Sequence, residues 1–231
     1  MGEIKMNDKP VLNVKSLKEQ VYDFLREQMR RGEILPGSVI DMEETSRKLG
    51  VSRTPLRDAL LQLESEDFVT ILPRRKVVVN QLTAQDIKNY YEIIGALESM
   101  AIIKAMAVMG QKEIEYMEQM NREMKQAIEA DDFDLYYEKN LNFHNTYLNL
   151  CGNEKLMRIV NNLKKRLYDF PRPEGFVKEW EEASIEEHAR LIEYLREGNK
   201  EEAARFIRDV HWSYAVQEKY IVKYYRHVAA R

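Results

Sequence analysis

The chain has 231 residues, a formal net charge of −3 and one cysteine, Cys151. That length can bury two modest cores. The lone cysteine excludes an internal disulfide or a thiolate zinc cage within one chain, and the mild acidity argues against a protein that coats nucleic acid indiscriminately. No apolar run approaches the roughly 20 residues that span a bilayer. The opening MGEIK lacks a signal-peptide core, so a cytoplasmic protein without a membrane segment is expected.

A first helix is expected from about Ser16, with Leu17, Val21, Leu25 and Met29 on one stripe, ended by Gly32 and the turn at Pro36 and Gly37. Asp41 before Met42, Glu43 and Glu44 is a capping pattern for a short second helix that stops at Gly50. Ser52 is expected to cap a third helix. Pro55 is tolerated in its first turn, where amides have no intrahelical acceptor to lose. Leu56, Ala59, Leu60 and Leu63 face inward; Arg53, Thr54 and Arg57 face outward near its start. Two short helices around a tight turn, with arginines at the exposed start of the second, present a helix to the major groove of DNA. Arginine suits guanine O6 and N7, and threonine suits a phosphate or a thymine methyl. Residues 68–72 and 77–79 then read as two strands of a hairpin. Its tip, Pro73, Arg74, Arg75 and Lys76, would meet the sugar-phosphate backbone or the minor groove. Basic residues outnumber acidic ones from Arg47 to Lys76, and the balance reverses beyond Leu82.

Thr83 and Asp86 form the next capping box, with Leu82 and Ile87 as its hydrophobic staple. Tyr90, Ile93, Ile94, Leu97, Ala101 and Ile102 make a long apolar face ending near Gly110. Further helices are expected over residues 112–129, 135–150 and 154–168, then a loop with Pro171, Pro173 and Gly175, then helices over 178–196 and 200–225. No strand alternation appears, so the expected architecture is mainly α. A winged helix-turn-helix (α+β) over residues 1–80 precedes an all-α antiparallel bundle of six or seven helices over 81–231.

His144, His188 and His211 are the candidates for chemistry, and Asn140 lies one turn before His144 on the same face. At 1.5 Å per residue, His188 and His211 sit about 12 and about 16 Å from the turn at Gly198, so an antiparallel pair brings them nearly level. Three imidazoles suit zinc, nickel, cobalt or iron, with open positions for water or a small acid, and Asn140 can add a neutral oxygen. A lone histidine is more often surface or satisfied core; His227 has no comparable partner. Catalysis by such a centre, as in metal-assisted hydrolysis, would need a general base, and none stands at a diagnostic spacing. An enzyme is therefore not expected.

The segment 49–64, LGVSRTPLRDALLQLE, resembles the signature of GntR-family transcriptional regulators, and Phe68, Val69, Pro73, Arg74 and Arg75 resemble its wing. The second half is similar to the helical FCD sensor domain of the FadR subfamily at Ala96 to Glu98, Phe143 with His144, Gly152 with Asn153, Glu187 with His188, and His211. This resemblance implies a homodimer on a palindromic double-stranded operator, contacted by Arg53, Thr54, Arg57 and the wing residues Arg74, Arg75 and Lys76. It also implies a divalent transition metal, zinc or nickel, on His144, His188 and His211, with Asn140 where the family usually has an aspartate, and a small-molecule effector such as an organic acid. Lys76 stands where a wing glycine is usual, and Ile94 where many relatives carry an arginine. Glu98 either accepts hydrogen bonds from the effector or cross-links helices. A constitutive dimeric DNA-binding protein with a non-sensing helical domain is the alternative.

Overall fold

A full capping box opens helix α1 (Leu17–Arg30): the Ser16 hydroxyl accepts from the Glu19 amide, and the Glu19 carboxylate accepts from the Ser16 amide. The computed structural model describes residues 15–73, 76–169 and 177–224. It divides the chain into two units, Met1–Asn80 and Gln81–Arg231. Val21, Leu25 and Met29 are buried along α1 as the periodicity predicts, but Leu17 is 56% exposed. Tyr22 takes the remaining place, because three- and seven-residue steps put it on the face of Leu25 and Met29. Leu17 is the first residue of the helix and has no preceding turn to pack with.

Strand β1 (Val39–Ile40) follows, then α2 (Met42–Leu49), capped by the Asp41 carboxylate on the amides of Glu43 and Glu44. Gly50 ends α2 with φ +64°, a left-handed conformation that glycine adopts without a Cβ penalty. Helix α3 (Arg53–Ser65) has Ser52 at its N-cap but no side-chain capping bond there. Strands β2 (Val69–Leu72) and β3 (Lys76–Val79) pair antiparallel, Val69 opposite Val79 and Ile71 opposite Val77. β1 pairs with the other edge of β3, giving the order β1-β3-β2. Sequence reasoning missed β1, since two residues carry no readable alternation and their partners lie far along the chain. Leu56, Ala59, Leu60 and Leu63 of α3 are fully buried against α1, Ile40, Phe68 and Val77.

The second unit holds seven α-helices among the described residues: α4 (Ala84–Ala105), α5 (Gln111–Glu129), α6 (Phe133–Leu150), α7 (Glu154–Tyr168), α8 (Lys178–Arg196), α9 (Lys200–Phe206) and α10 (Tyr214–Tyr224). The Thr83–Asp86 capping box forms in both directions, and Leu82 and Ile87 are buried. Asp132, Asn153 and Asn199 cap α6, α7 and α9 with their side chains. α4 packs against α6, α7 and α9, while α5 lies between α6 and α8.

The expected single helix over 200–225 is corrected. A π-helical turn, Ile207–His211, follows α9, and the chain breaks at Trp212 and Ser213 before α10. The Trp212 amide reaches the Ile207 carbonyl at 2.9 Å, five residues back. Where this turn ends, the consecutive residues His211 and Trp212 are both turned inward, His211 toward His144 and His188 and Trp212 toward Glu98. No helix among the described residues is long and apolar enough to cross a membrane. Arg74, Arg75, the loop with Pro171, Pro173 and Gly175, and His227 lie outside the described residues.

Candidate metal centre and DNA-reading surface

In the first unit, the short helix α2, the left-handed turn at Gly50 and the buried leucine stripe of α3 fix which way α3 faces. Arg53, Thr54 and Arg57 are exposed on its opening turns. The Glu43 carboxylate accepts from the Arg53 guanidinium at 3.1 Å. Both side chains are largely in solvent, so the pair holds Arg53 weakly. Lys76 opens β3 and is exposed; Arg74 and Arg75 precede it outside the described residues.

In the second unit, His144 comes from α6, His188 from α8 and His211 from the end of the π-turn. Their ring centroids are 5.3 Å (His144–His188), 5.1 Å (His144–His211) and 5.0 Å (His188–His211) apart. One ring nitrogen from each lies within 4.8 Å of the others. Three nitrogens at about 2.0–2.1 Å from one ion stand roughly 3.4 Å apart in a tetrahedral site, so the rings would draw in by about an ångström to share one. His144 and His188 are 1% exposed, and His211 is part-buried. The His188 ring stacks on Phe143 with centroids 4.1 Å apart.

Polar satisfaction separates the two ends of the rings. Nδ1 of His144 lies 3.0 Å from Glu98 Oε2 and 2.6 Å from the Tyr147 hydroxyl, and Nδ1 of His211 lies 2.7 Å from Glu187 Oε2. By contrast Nε2 of His144, both nitrogens of His188 and Oδ1 of Asn140 are buried without a hydrogen-bond partner among the described residues. Buried polar atoms are rarely left so. Unpaired acceptors on Asn140, His144 and His188, gathered with His211, form a donor set that fits a first-row divalent ion. A cavity of about 50 Å³ adjoins the cluster, lined by Asn140, Glu187 and His211 and by the rings of Tyr91, Tyr137 and Trp212. At roughly 10–15 Å³ per water it holds a few waters or a compact ligand.

Burial, helped by the Lys164 charge, pushes the His144 imidazole down to about 3 against the pull of Glu98. Burial also holds His188 well below its ordinary value, with His211, His144 and Lys164 adding to it. Neutral rings with free lone pairs are what metal coordination needs.

Glu98 is fully buried and does not line the cavity. Its Oε2 accepts from the Trp212 indole at 2.8 Å and from the Tyr147 hydroxyl, and its Oε1 faces the Lys164 ammonium. It therefore joins α4, α6, α7 and Trp212, the residue after the π-turn. Burial pushes its carboxyl up, but Lys164 and His144 outweigh that and hold it below the usual carboxylate range. Lys164 and the partner roles of Tyr147, Trp212 and Glu187 escaped sequence reasoning. One signal was available for Lys164, which falls on the apolar stripe of Leu156, Val160 and Leu167 where a solvated lysine has no place.

Comparison with known proteins gives two family matches. The FCD domain matches residues 89–210, and the gntR family of bacterial regulatory proteins matches residues 17–79. The HTH-type transcriptional regulator YdhC of Bacillus subtilis is 25% identical over 190 residues, 81% of this chain and 84% of that one. The HTH-type regulator YdfH of Escherichia coli O6:H1 is 26% identical over 162 residues, 70% of this chain and 69% of that one. Among solved structures, E. coli McbR/YncC aligns with a TM-score of 0.69 at 22% identity, covering 93% of this chain and 99% of that one, a likeness of fold.

Proposed function

The chain belongs to the gntR family of bacterial regulatory proteins and carries an FCD domain, and from that premise we propose that this DNA-binding regulator couples operator affinity to a small ligand at a metal centre. Like its relatives it is a transcriptional regulator and not an enzyme. Arg53, Thr54 and Arg57 read base edges and phosphates from α3, and Lys76 at the start of β3, with Arg74 and Arg75 before it in the sequence, holds the DNA backbone. Asn140, His144, His188 and His211 hold zinc or nickel. The observation that carries the reading is the buried convergence of three histidine nitrogens, within 4.8 Å of one another, with Nε2 of His144 and Oδ1 of Asn140 unpaired.

The ligand's chemistry follows from charge. Three neutral imidazoles and a neutral amide leave a divalent ion short of negative charge in a buried place: the Glu98 charge is already matched by Lys164, and Glu187 offers one charge through its hydrogen bond to His211. A small organic acid bound beside His211 and Asn140 supplies the missing negative charge, and the metal polarises it in place. Such a ligand touches residues of α6, α8 and the π-turn at once, and favours the bundle packing in which those elements close around it.

The test is operator binding by the purified chain with metal removed, with zinc or nickel restored, and with candidate acids added. A coupling of about 1–3 kcal/mol changes operator affinity roughly 5–150-fold. Replacing Arg53 and Arg57 with alanine should abolish sequence-selective binding in every condition. Operator affinity that ignores metal and every acid would leave a constitutive DNA-binding protein and overturn the sensor reading.

A further inference from the structure

The protons in the buried network can be counted, and the count identifies which nitrogens are free. Tyr147 has a single hydroxyl proton, and its oxygen lies in hydrogen-bond contact with both Glu98 Oε2 and His144 Nδ1. The carboxylate can only accept, so the hydroxyl proton goes to Glu98, which leaves the Tyr147 oxygen as an acceptor toward His144. Both neighbours of Nδ1 are then acceptors, and Nδ1 must carry the proton. The same logic holds at His211, whose Nδ1 faces Glu187 Oε2 at 2.7 Å. The other oxygen of Glu187 accepts from Gln217 Nε2 at 2.9 Å, and Gln217 accepts from the Trp180 indole at 2.9 Å. The amide is thereby oriented with its donor toward Glu187.

We infer that Glu98 and Glu187 are positioning residues that fix His144 and His211 as Nδ1-protonated tautomers, so that the Nε2 lone pair of each is presented toward Asn140 and His188. This rests on the metal-site reading and assigns Glu98 away from the effector, since its Oε2 is taken by His144, Tyr147 and Trp212, its Oε1 faces Lys164, and it does not line the cavity. Lys164 belongs to the same device: it balances the Glu98 charge where no water can, and its ammonium lies 5.2 Å from the Trp212 ring. His188 differs from its neighbours. Neither nitrogen has a partner among the described residues, and its ring is held by stacking on Phe143. The centre has two pre-aimed ligands and one that chooses its tautomer when an ion arrives.

Long-range ¹H–¹⁵N correlation spectra of the metal-free full-length chain at neutral pH read the tautomers directly. His144 and His211 should be Nδ1-protonated, with His188 mixed. Glu98→Gln should release the His144 tautomer and leave that of His211 in place, and Glu187→Gln should do the reverse. Each should weaken zinc or nickel binding about 10–100-fold in competition with a chelator. Because Glu98→Gln leaves Lys164 buried without its carboxylate, the pair Glu98→Gln with Lys164→Met serves as the folded control. It should regain stability while His144 stays released. An Nε2-protonated His144 in the unaltered chain, or unchanged tautomers and metal affinity in the folded variants, would overturn the inference. If the unaltered chain bound neither zinc nor nickel, the metal reading would fall, and the tautomer spectra would still decide this one.

Discussion

His144 and His188 show how a buried site is prepared by what surrounds it. Each ring lies where water cannot solvate a charge, and both are held neutral in the folded chain, His144 down to about 3 from the ordinary 6.5. The unfolded chain takes up protons on these rings as pH falls through about 6.5, and the folded chain refuses them. Their folded-state values are depressed, so the stability they contribute is complete above pH 6.5 and is lost as pH falls below it, for His144 down to about 3. The limiting slope is about 1.4 kcal/mol per pH unit for each ring. Urea unfolding of the metal-free protein from pH 7.5 to 4.5 should show falling stability below pH 6.5. A flat or rising profile would mean that the rings are charged or solvated. At this scale the sequence was legible for the histidines and Asn140, whose residue types advertise coordination. It was not legible for Tyr147 or Trp212, whose roles depend on a carboxylate 49 and 114 positions away.

Secondary structure was predictable wherever the signal was local. The capping boxes at Ser16 and Thr83, the glycine end of α2 and the buried stripe of α3 all follow from neighbouring residues. The π-turn at Ile207–His211 does not, because its cause is the surface it meets. Gly95 of α4 stands directly against it: a Cβ there would lie 3.0 Å from the Trp212 Cβ and 3.4 Å from the Arg208 carbonyl oxygen. Neither neighbour is the loose end of a flexible chain. Gly95→Ala should therefore push the π-turn away from α4, at a cost of about 1–3 kcal/mol, and displace His211 from His144 and His188. Urea unfolding together with zinc titration checks this. A variant with full stability and full metal affinity would show that the close approach has no structural consequence.

For the whole molecule, we propose that two copies of the chain pair through the exposed side of α4. Ile93, Ala96, Met100 and Ile103 are all exposed, at successive steps of three, four and three residues. This is the spacing with which one helix seats against another. A second copy of the chain offers the same stripe, and a two-fold pair of α3 helices is what a palindromic operator takes. Charges placed there, as Met100→Glu with Ile103→Glu, should convert a dimer to monomers in sedimentation analysis and weaken operator binding while leaving the helical content intact. A dimer that survives both charges would place the contact elsewhere.

The amino-acid sequence alone determined the helical identity of nearly every segment, the division between a DNA-reading N-terminal third with its basic stretch and a helical remainder, and the residue types of the candidate metal site. These are properties of spacing and composition, and each is written within a window of about ten residues. The tertiary structure alone decided that the three histidines from separate elements share one buried point, that Lys164 is paired inside with Glu98, and that two carboxylates face the Nδ1 atoms. Such facts depend on how helices cross, and low dielectric then makes every polar atom there take a partner or remain conspicuously without one.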